Sequence, residues 1–231
     1  PGRQVDKGLL VRLQYAITKT QRRPLDNVLG VCRNIYESAK SISEGRIWNA
    51  FNYAVLMDAL DNVDIAEKCY LETLECMNGA DDAAFYGTPV FIIGEEWYQE
   101  FNLFEYRHNS HDIKKKLLTS VVLTRLAQIF VNKGRRSEAE KLFKRAIDFY
   151  PQNTEANYWY GLLSSSTQQL IGYRYLKIAY EQNSFDHRYW NSLISAANGA
   201  GRTSESESFK REMRILKPLA ESVYGQSDLM F

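Results

Sequence analysis

Two histidines three residues apart are the first feature of this sequence that could support chemistry. His108 and His111 share one face if the segment is helical, and Glu105 and Asp112 lie close in sequence. Imidazole and carboxylate groups at such a spacing are typical ligands of a transition metal. However, residues 108–110 have the composition of a helix boundary, and no cysteine or second histidine pair is near. The sequence favours surface residues at a helix junction and predicts no metal site.

Clustered charges give no stronger signal of catalysis. Glu95, Glu96 and Glu100 could supply an acid–base pair, but such clusters more often complement the dipole at a helix start. The lysines at 114–116 could bind phosphate, although a run of three is usually a solvated face. The sequence contains no glycine-rich phosphate loop, nucleophile elbow or Cys/His array. We therefore expect no enzymatic activity and no cofactor.

The composition is that of a globular chain, and its charge balance disfavours nucleic-acid binding. Hydrophobic residues make up 45% of the 231 residues, enough to fill a core. Lysine and arginine number 29 against 28 aspartate and glutamate, whereas nucleic-acid-binding proteins usually carry a clear basic excess. No apolar run is long enough to span a bilayer, so membrane insertion is not expected.

The three cysteines do not form a disulfide framework. Cys69 and Cys76 are seven residues apart on a helical pattern, about 10 Å along the axis. That distance is too long for a bridge. The third, Cys32, leaves an odd number. We interpret them as small core residues in a reducing compartment, which favours a cytoplasmic location.

An internal repeat of about 34 residues is the strongest pattern in the chain. Within 120–153, apolar residues at helical spacing predict a first helix, a turn at a glycine, and a second helix that ends at a proline. The marked positions are Leu123, Leu126, Ala127, Phe130, Gly134, Ala139, Phe143, Ala146 and Pro151. The small Ala127 and Ala139 would let the two helices approach closely. Ser137, followed by acidic residues, is predicted to cap the second helix.

This pattern resembles that of the tetratricopeptide repeat (TPR) family. Two further segments, 154–186 and 187–220, continue the register. They keep the family positions Gly161, Ala179, Trp190, Leu193, Gly201 and Pro218. The last segment departs at Ser206 and Met213, where alanine is expected. The resemblance implies an all-α fold, an α-α superhelix (solenoid) of stacked antiparallel helical hairpins.

The register weakens towards the N-terminus. Residues 47–80 fit a degraded repeat, and residues 9–42 fit only a helix–turn–helix outline. The marked positions of the degraded repeat are Ala54, Met57, Ala66 and Tyr70. We therefore divide the chain into degenerate TPR-like hairpins (1–78), an aromatic-rich insertion (79–112), three TPR repeats (113–220) and a C-terminal tail (221–231).

The insertion at 79–112 holds eight aromatic residues, among them Trp97, Phe101 and Phe104 on one face of a predicted helix. Left in water, so many aromatic side chains would form a large exposed patch. We therefore expect the insertion to fold back onto the repeats.

The resemblance to the TPR family implies that the first helices of the repeats form a concave groove, which binds a partner protein or peptide. By family position, the candidate partner-binding residues are Arg125, Gln128, Tyr158, Trp159, Arg188 and Asn191. Such side chains bind peptide amides, carboxylates and apolar groups. Arg125, Tyr158 and Asn191 follow one another at 33-residue steps, which predicts one patch on successive helices.

A structural alternative stays open for these residues. Tyr158 and Trp159 could merely pack between helices, and the two arginines could merely pair with Glu155 and similar neighbours. Some TPR proteins clamp C-terminal carboxylates with lysine and asparagine on three first helices. The corresponding residues here are Thr124, Gln128, Trp159, Arg188 and Ser192. Only Arg188 could play that part, so the carboxylate clamp is not predicted.

Three hypotheses of function follow. The leading one is a non-enzymatic protein–protein interaction scaffold that binds a partner in the groove. The second is a regulatory or substrate-docking TPR segment of a larger enzyme such as a transferase, since the chain starts Pro1-Gly2 without methionine, as a fragment would. The third is self-association of the array, end to end, into a homo-oligomer.

Overall fold

The structure is a computed structural model that describes residues 30, 33–34, 36–38, 46–80, 111–184 and 186–224. Regular structure in this part of the chain is α-helical, which confirms the all-α class. The helices are α1 (Arg46–Ala59), α2 (Val63–Met77), α3 (His111–Asn132), α4 (Arg136–Phe149), α5 (Thr154–Ser165), α6 (Gln169–Gln182), α7 (His187–Gly199) and α8 (Thr203–Tyr224). Three predictions fall largely outside the described residues. They are the hairpin at 9–42, the fold of the 79–112 insertion, and the question of a metal site at His108 and His111.

The chain divides into two compact units, Pro1–Ile129 and Phe130–Phe231. The division falls inside α3. The four segments derived from the sequence stay a prediction.

In the first unit, α1 and α2 pack together as a helical hairpin. The four marked positions of the degraded repeat, Ala54, Met57, Ala66 and Tyr70, are all buried. The turn between the helices contains Asp61 with a positive φ of 56°. Local apolar spacing therefore identified the inward face of this hairpin.

Helix α3 is buried around its whole circumference over residues 117–124. In its first turns Lys116 is exposed, whereas Lys114 and Lys115 are half-buried, and Lys116 Nζ lies 2.6 Å from Asp112 Oδ2. A helix that is covered on all sides must be apolar on all sides. The buried hydroxyls of Thr119 and Thr124 are satisfied within the helix, because each donates a hydrogen bond to the carbonyl oxygen four residues earlier, at 2.7 and 2.8 Å.

In the second unit, the hairpins α5–α6 and α7–α8 stack, and each helix from α4 to α8 packs against the next. The first helices α5 and α7 also touch directly. The core they share consists of Tyr158, Tyr173, Leu176, Ala179, Tyr180, Tyr189, Trp190, Leu193, Ala196 and Ala197. This arrangement is the stack of antiparallel hairpins that the TPR resemblance implied.

Polar contacts tie neighbouring helices of this unit together. Tyr173 and Tyr180, two turns apart on α6, donate to Glu205 and Glu212 on α8, the latter at 2.9 Å. Arg136 at the start of α4 donates through Nη2 to the Leu163 carbonyl oxygen at 2.9 Å. The guanidinium thus satisfies a carbonyl in the last turn of α5, where a positive charge also complements the helix dipole.

Glycines mark two of the turns and one close helix contact, as predicted. Gly134 and Gly201 have φ values of 73° and 72°, a conformation that other residues adopt at a cost. Gly161 in α5 faces α6 so closely that a Cβ atom would lie 2.8 Å from Leu176 Cγ. The glycine at 161 is therefore required for α5 and α6 to pack.

The predicted cap of α4 is wrong. The helix starts one residue before Ser137, and the N-cap residue is Arg135, whose side chain makes no capping hydrogen bond. The Arg135 guanidinium instead donates to both carboxylate oxygens of Glu138, at 2.8 and 2.7 Å. This ion pair closes the first turn, and the hydrogen bond lowers the pKa of Glu138.

Pro218 does not end a helix, contrary to the repeat pattern, although Pro151 does follow the end of α4 as predicted. Helix α8 continues through Pro218 to Tyr224. Proline removes one hydrogen bond to the carbonyl four residues earlier. Both Pro218 and Arg214 are exposed, so water can solvate that carbonyl.

Ala139→Leu is expected to lower the free energy of unfolding by about 1–3 kcal/mol, because added carbons overpack a full core. Ala139 is fully buried on α4. The matched control is Lys141→Leu, at an exposed position of the same helix, with an expected change within about 0.5 kcal/mol. Urea denaturation followed by circular dichroism measures both. Equal stability of the two variants would contradict a close helix contact at Ala139.

Candidate functional site

A buried carboxylate lies at the centre of the candidate site. Glu155 stands in the first turn of α5 and is 5% exposed. The helix starts here because the Asn153 side chain, as N-cap, accepts a hydrogen bond from the Ala156 amide at 3.0 Å. The positive end of the helix dipole then favours a negative charge at Glu155.

Three side chains surround the Glu155 carboxylate. One oxygen, Oε1, pairs with Arg188 Nη2 and accepts a hydrogen bond from the Tyr189 hydroxyl at 3.0 Å. The other, Oε2, accepts from Trp159 Nε1 at 3.2 Å. Burial, followed by the charge of Glu155, raises the pKa of Tyr189, so its hydroxyl stays protonated and remains a donor. Both oxygens of the buried carboxylate are thereby satisfied.

The Arg188 guanidinium is held by a second carboxylate. Asp186, the N-cap of α7, accepts from the Arg188 backbone amide at 3.0 Å, from Nε at 3.1 and 3.0 Å, and from Nη2 at 2.6 Å. Although burial opposes the charge, the hydrogen bond to Asp186 and the charges of Glu155 and Asp186 raise the pKa of Arg188. The guanidinium therefore stays charged and fixed in direction.

Aromatic rings connect this ionic cluster to three helices. Trp159 stacks on Phe143 of α4, with ring centroids 6.2 Å apart and an interplanar angle of 5°. Tyr158 contacts the edge of Trp159 and lies 4.8 Å from the Tyr189 ring. The Arg188 Cζ atom lies 5.8 Å from the Tyr158 ring centroid. Offset and edge contacts of this kind hold the rings in one arrangement.

Of the predicted site residues, the structure brings Tyr158, Trp159 and Arg188 together around Glu155. Asn191 is exposed and lies three residues after Arg188 on α7. Tyr158 is 9% exposed, and its hydroxyl is 3.5 Å from Ser192 Oγ. Helix packing and pairing with Glu155 thus account for many contacts of these residues, and their part in binding a partner stays a prediction.

The other two predicted residues, Arg125 and Gln128, belong to the first unit and contact each other. Arg125 Nη1 donates to Gln128 Oε1 at 3.3 Å. Burial raises the pKa of Asp58 in the same unit, and the charge of Arg125 and a hydrogen bond from Tyr70 oppose that rise. That these residues and those of α5 and α7 share one patch stays a prediction.

Two residues of the cluster were missed at the level of sequence. Asp186 directly precedes the first residue of α7, which is the signature of an N-cap, so capping rules could have found it. Tyr189 carries no local signal, because its role depends on a glutamate 34 residues earlier.

The described residues contain no group of three or more His, Cys, Asp or Glu side chains that could hold a metal ion. None of the helices within them combines the length and the apolar character that crossing a membrane requires.

Comparison with known proteins concerns the fold. No family model matches the chain, and no curated protein matches its sequence. The crystal structure of YrrB, a TPR protein with an unusual peptide-binding site, is similar with a TM-score of 0.42 and 13% identity, covering 79% of this chain and 91% of that one. The chain's own hairpins, with their glycine turns and the close contact at Gly161, make its fold TPR-like.

Proposed function

We propose that this chain is a non-enzymatic interaction scaffold that binds an extended segment of a partner protein on the face formed by α5 and α7. The observation that supports the proposal is the Glu155–Arg188–Asp186 cluster between these two helices. Buried ion pairs add little net stability compared with apolar packing. The cluster therefore points to a role in recognition, for which charged and aromatic groups must be held in place before a partner arrives.

The edge of the cluster offers groups suited to a peptide. Asn191 and Ser195 are exposed on α7, while Trp159 and Leu162 are half-buried on α5. Tryptophan, tyrosine and arginine dominate the energetics of protein interfaces, particularly where surrounding contacts exclude water. Amide and hydroxyl groups beside them can pair with the main chain of an extended segment.

The test compares two arginine substitutions with the wild type. Asn191→Arg places a long side chain on the proposed face, and Glu181→Arg alters an exposed position on α6, away from that face. A peptide selected on the wild-type chain from a random library is expected to bind Asn191→Arg at least about tenfold more weakly, because hot-spot contacts are lost. Fluorescence anisotropy of the labelled peptide measures the affinity, and circular dichroism checks the fold.

Glu181→Arg is expected to bind like the wild type. If the selected peptides bind Asn191→Arg and wild type within about twofold, the binding surface lies elsewhere. A library that yields no binder at all would contradict peptide recognition by this chain.

A further inference from the structure

We infer that the α5–α7 face receives the uncharged main chain of an internal peptide segment and disfavours a C-terminal carboxylate. The inference rests on the proposed function and specifies the chemistry of that same face.

The charge of the face is the first argument. Glu155 is the only charged side chain of α5, and Arg188 is the only one of α7 when His187 is neutral. With the N-cap Asp186, two carboxylates oppose one guanidinium and leave one net negative charge. Because both carboxylates lie in direct contact with Arg188, its charge is neutralised before any ligand arrives. An incoming carboxylate would be repelled by the net negative charge of this face, because like charges placed side by side at an interface cost free energy.

The donors that remain are the second argument. Arg188 uses Nε and Nη2 for its two carboxylates, and Nη1 has no hydrogen-bond partner among the described residues. The side chain is 36% exposed, so a ligand can reach it. Two N–H groups of fixed direction are thus left to donate. A neutral carbonyl oxygen can accept them without placing a charge beside Glu155 and Asp186.

Asn191 supplies the matching acceptor. It is exposed and lies on the same side of α7 as Arg188, three residues further along. Its amide offers one acceptor oxygen and two N–H donors. A peptide unit presents one C=O and one N–H, so Arg188 and Asn191 together match the main chain of an extended segment. The half-buried Trp159 and Leu162 of α5 then offer apolar surface to its side chains.

The experiment compares two forms of the same ligand. Two random-peptide libraries are selected on the full chain, one displayed with a free C-terminal carboxylate and one followed by a spacer. Each selected peptide is then synthesised as the acid and as the amide. We expect binders from the spacer library, and dissociation constants of amide forms equal to or lower than those of acid forms. Peptides whose affinity falls about tenfold or more on amidation would overturn the inference.

A charge variant tests the cause. Asp186→Asn removes one carboxylate and keeps a good N-cap, so α7 should fold as before. It is expected to reduce the preference for amide over acid several-fold at low salt, and less at high salt. Asp148→Asn, an exposed change on α4, is the control and should leave the preference unchanged. An unchanged preference in Asp186→Asn would overturn the charge argument.

The outcomes separate this inference from the proposed function. Peptides that bind the face through a terminal carboxylate would overturn the inference and leave the scaffold role intact. Failure of both libraries, with correctly folded protein, would overturn the scaffold role and the inference with it.

Discussion

Arg188→Met is expected to lower the free energy of unfolding by about 2–3 kcal/mol, because the Glu155 carboxylate is left buried without its cation. Methionine keeps the length and apolar stem of the side chain, so the change isolates the loss of charge. The expected loss stays below the roughly 3–5 kcal/mol of fully buried pairs, since the Arg188 side chain is 36% exposed and water screens it. Urea denaturation monitored by tryptophan fluorescence gives the difference.

Two further variants define what the loss means. Adding Glu155→Gln to Arg188→Met removes the unpaired charge, so the double variant is expected to be more stable than the single one. Lys144→Met breaks the exposed pair of Lys144 with Asp148 on α4 and should cost at most about 0.5 kcal/mol. If Arg188→Met is no less stable than Lys144→Met, the buried Glu155 carboxylate does not need the positive charge of Arg188 for the stability of the fold.

Gly172→Ala is expected to destabilise the second unit by about 3 kcal/mol, despite the higher helix propensity of alanine. A Cβ atom at Gly172 would lie 2.6 Å from both the Cα and the N of Ser165. These are main-chain atoms at the end of α5, so no side-chain rotation relieves the clash. Helices α5 and α6 would have to separate, which opens the core around Leu176.

The matched control for this change is Gly199→Ala at the end of α7. The nearest atoms to a Cβ there belong to the Gln169 side chain at 3.7 Å, which is an ordinary contact. That variant is expected to be neutral or up to about 1 kcal/mol more stable. Thermal melts by circular dichroism compare the two. A gain in stability for both variants would show that α5 and α6 are not in close contact at Gly172.

The sequence by itself determined the repeated hairpins and their inward faces. Apolar residues at steps of three and four are a local signal, and so is a glycine between two such series. For that reason, Ala139, Phe143 and Leu193 are buried as the pattern predicted, and Gly134 has the positive φ of a turn. The close contact at Gly161 also followed from the register, because only a small residue fits where two helices cross closely.

Only the tertiary structure decided the chemistry of the candidate site. Glu155 and Arg188 are 33 residues apart, and a charge that looks exposed in sequence becomes buried when α5 and α7 stack. The same stacking adds Glu155 to a guanidinium that Asp186 already holds at the start of α7, and so changed Arg188 from a candidate carboxylate binder into a neutralised donor. The requirement for glycine at 172 likewise depends on the main chain of another helix. These outcomes depend on distances between helices, which local residue preferences do not contain.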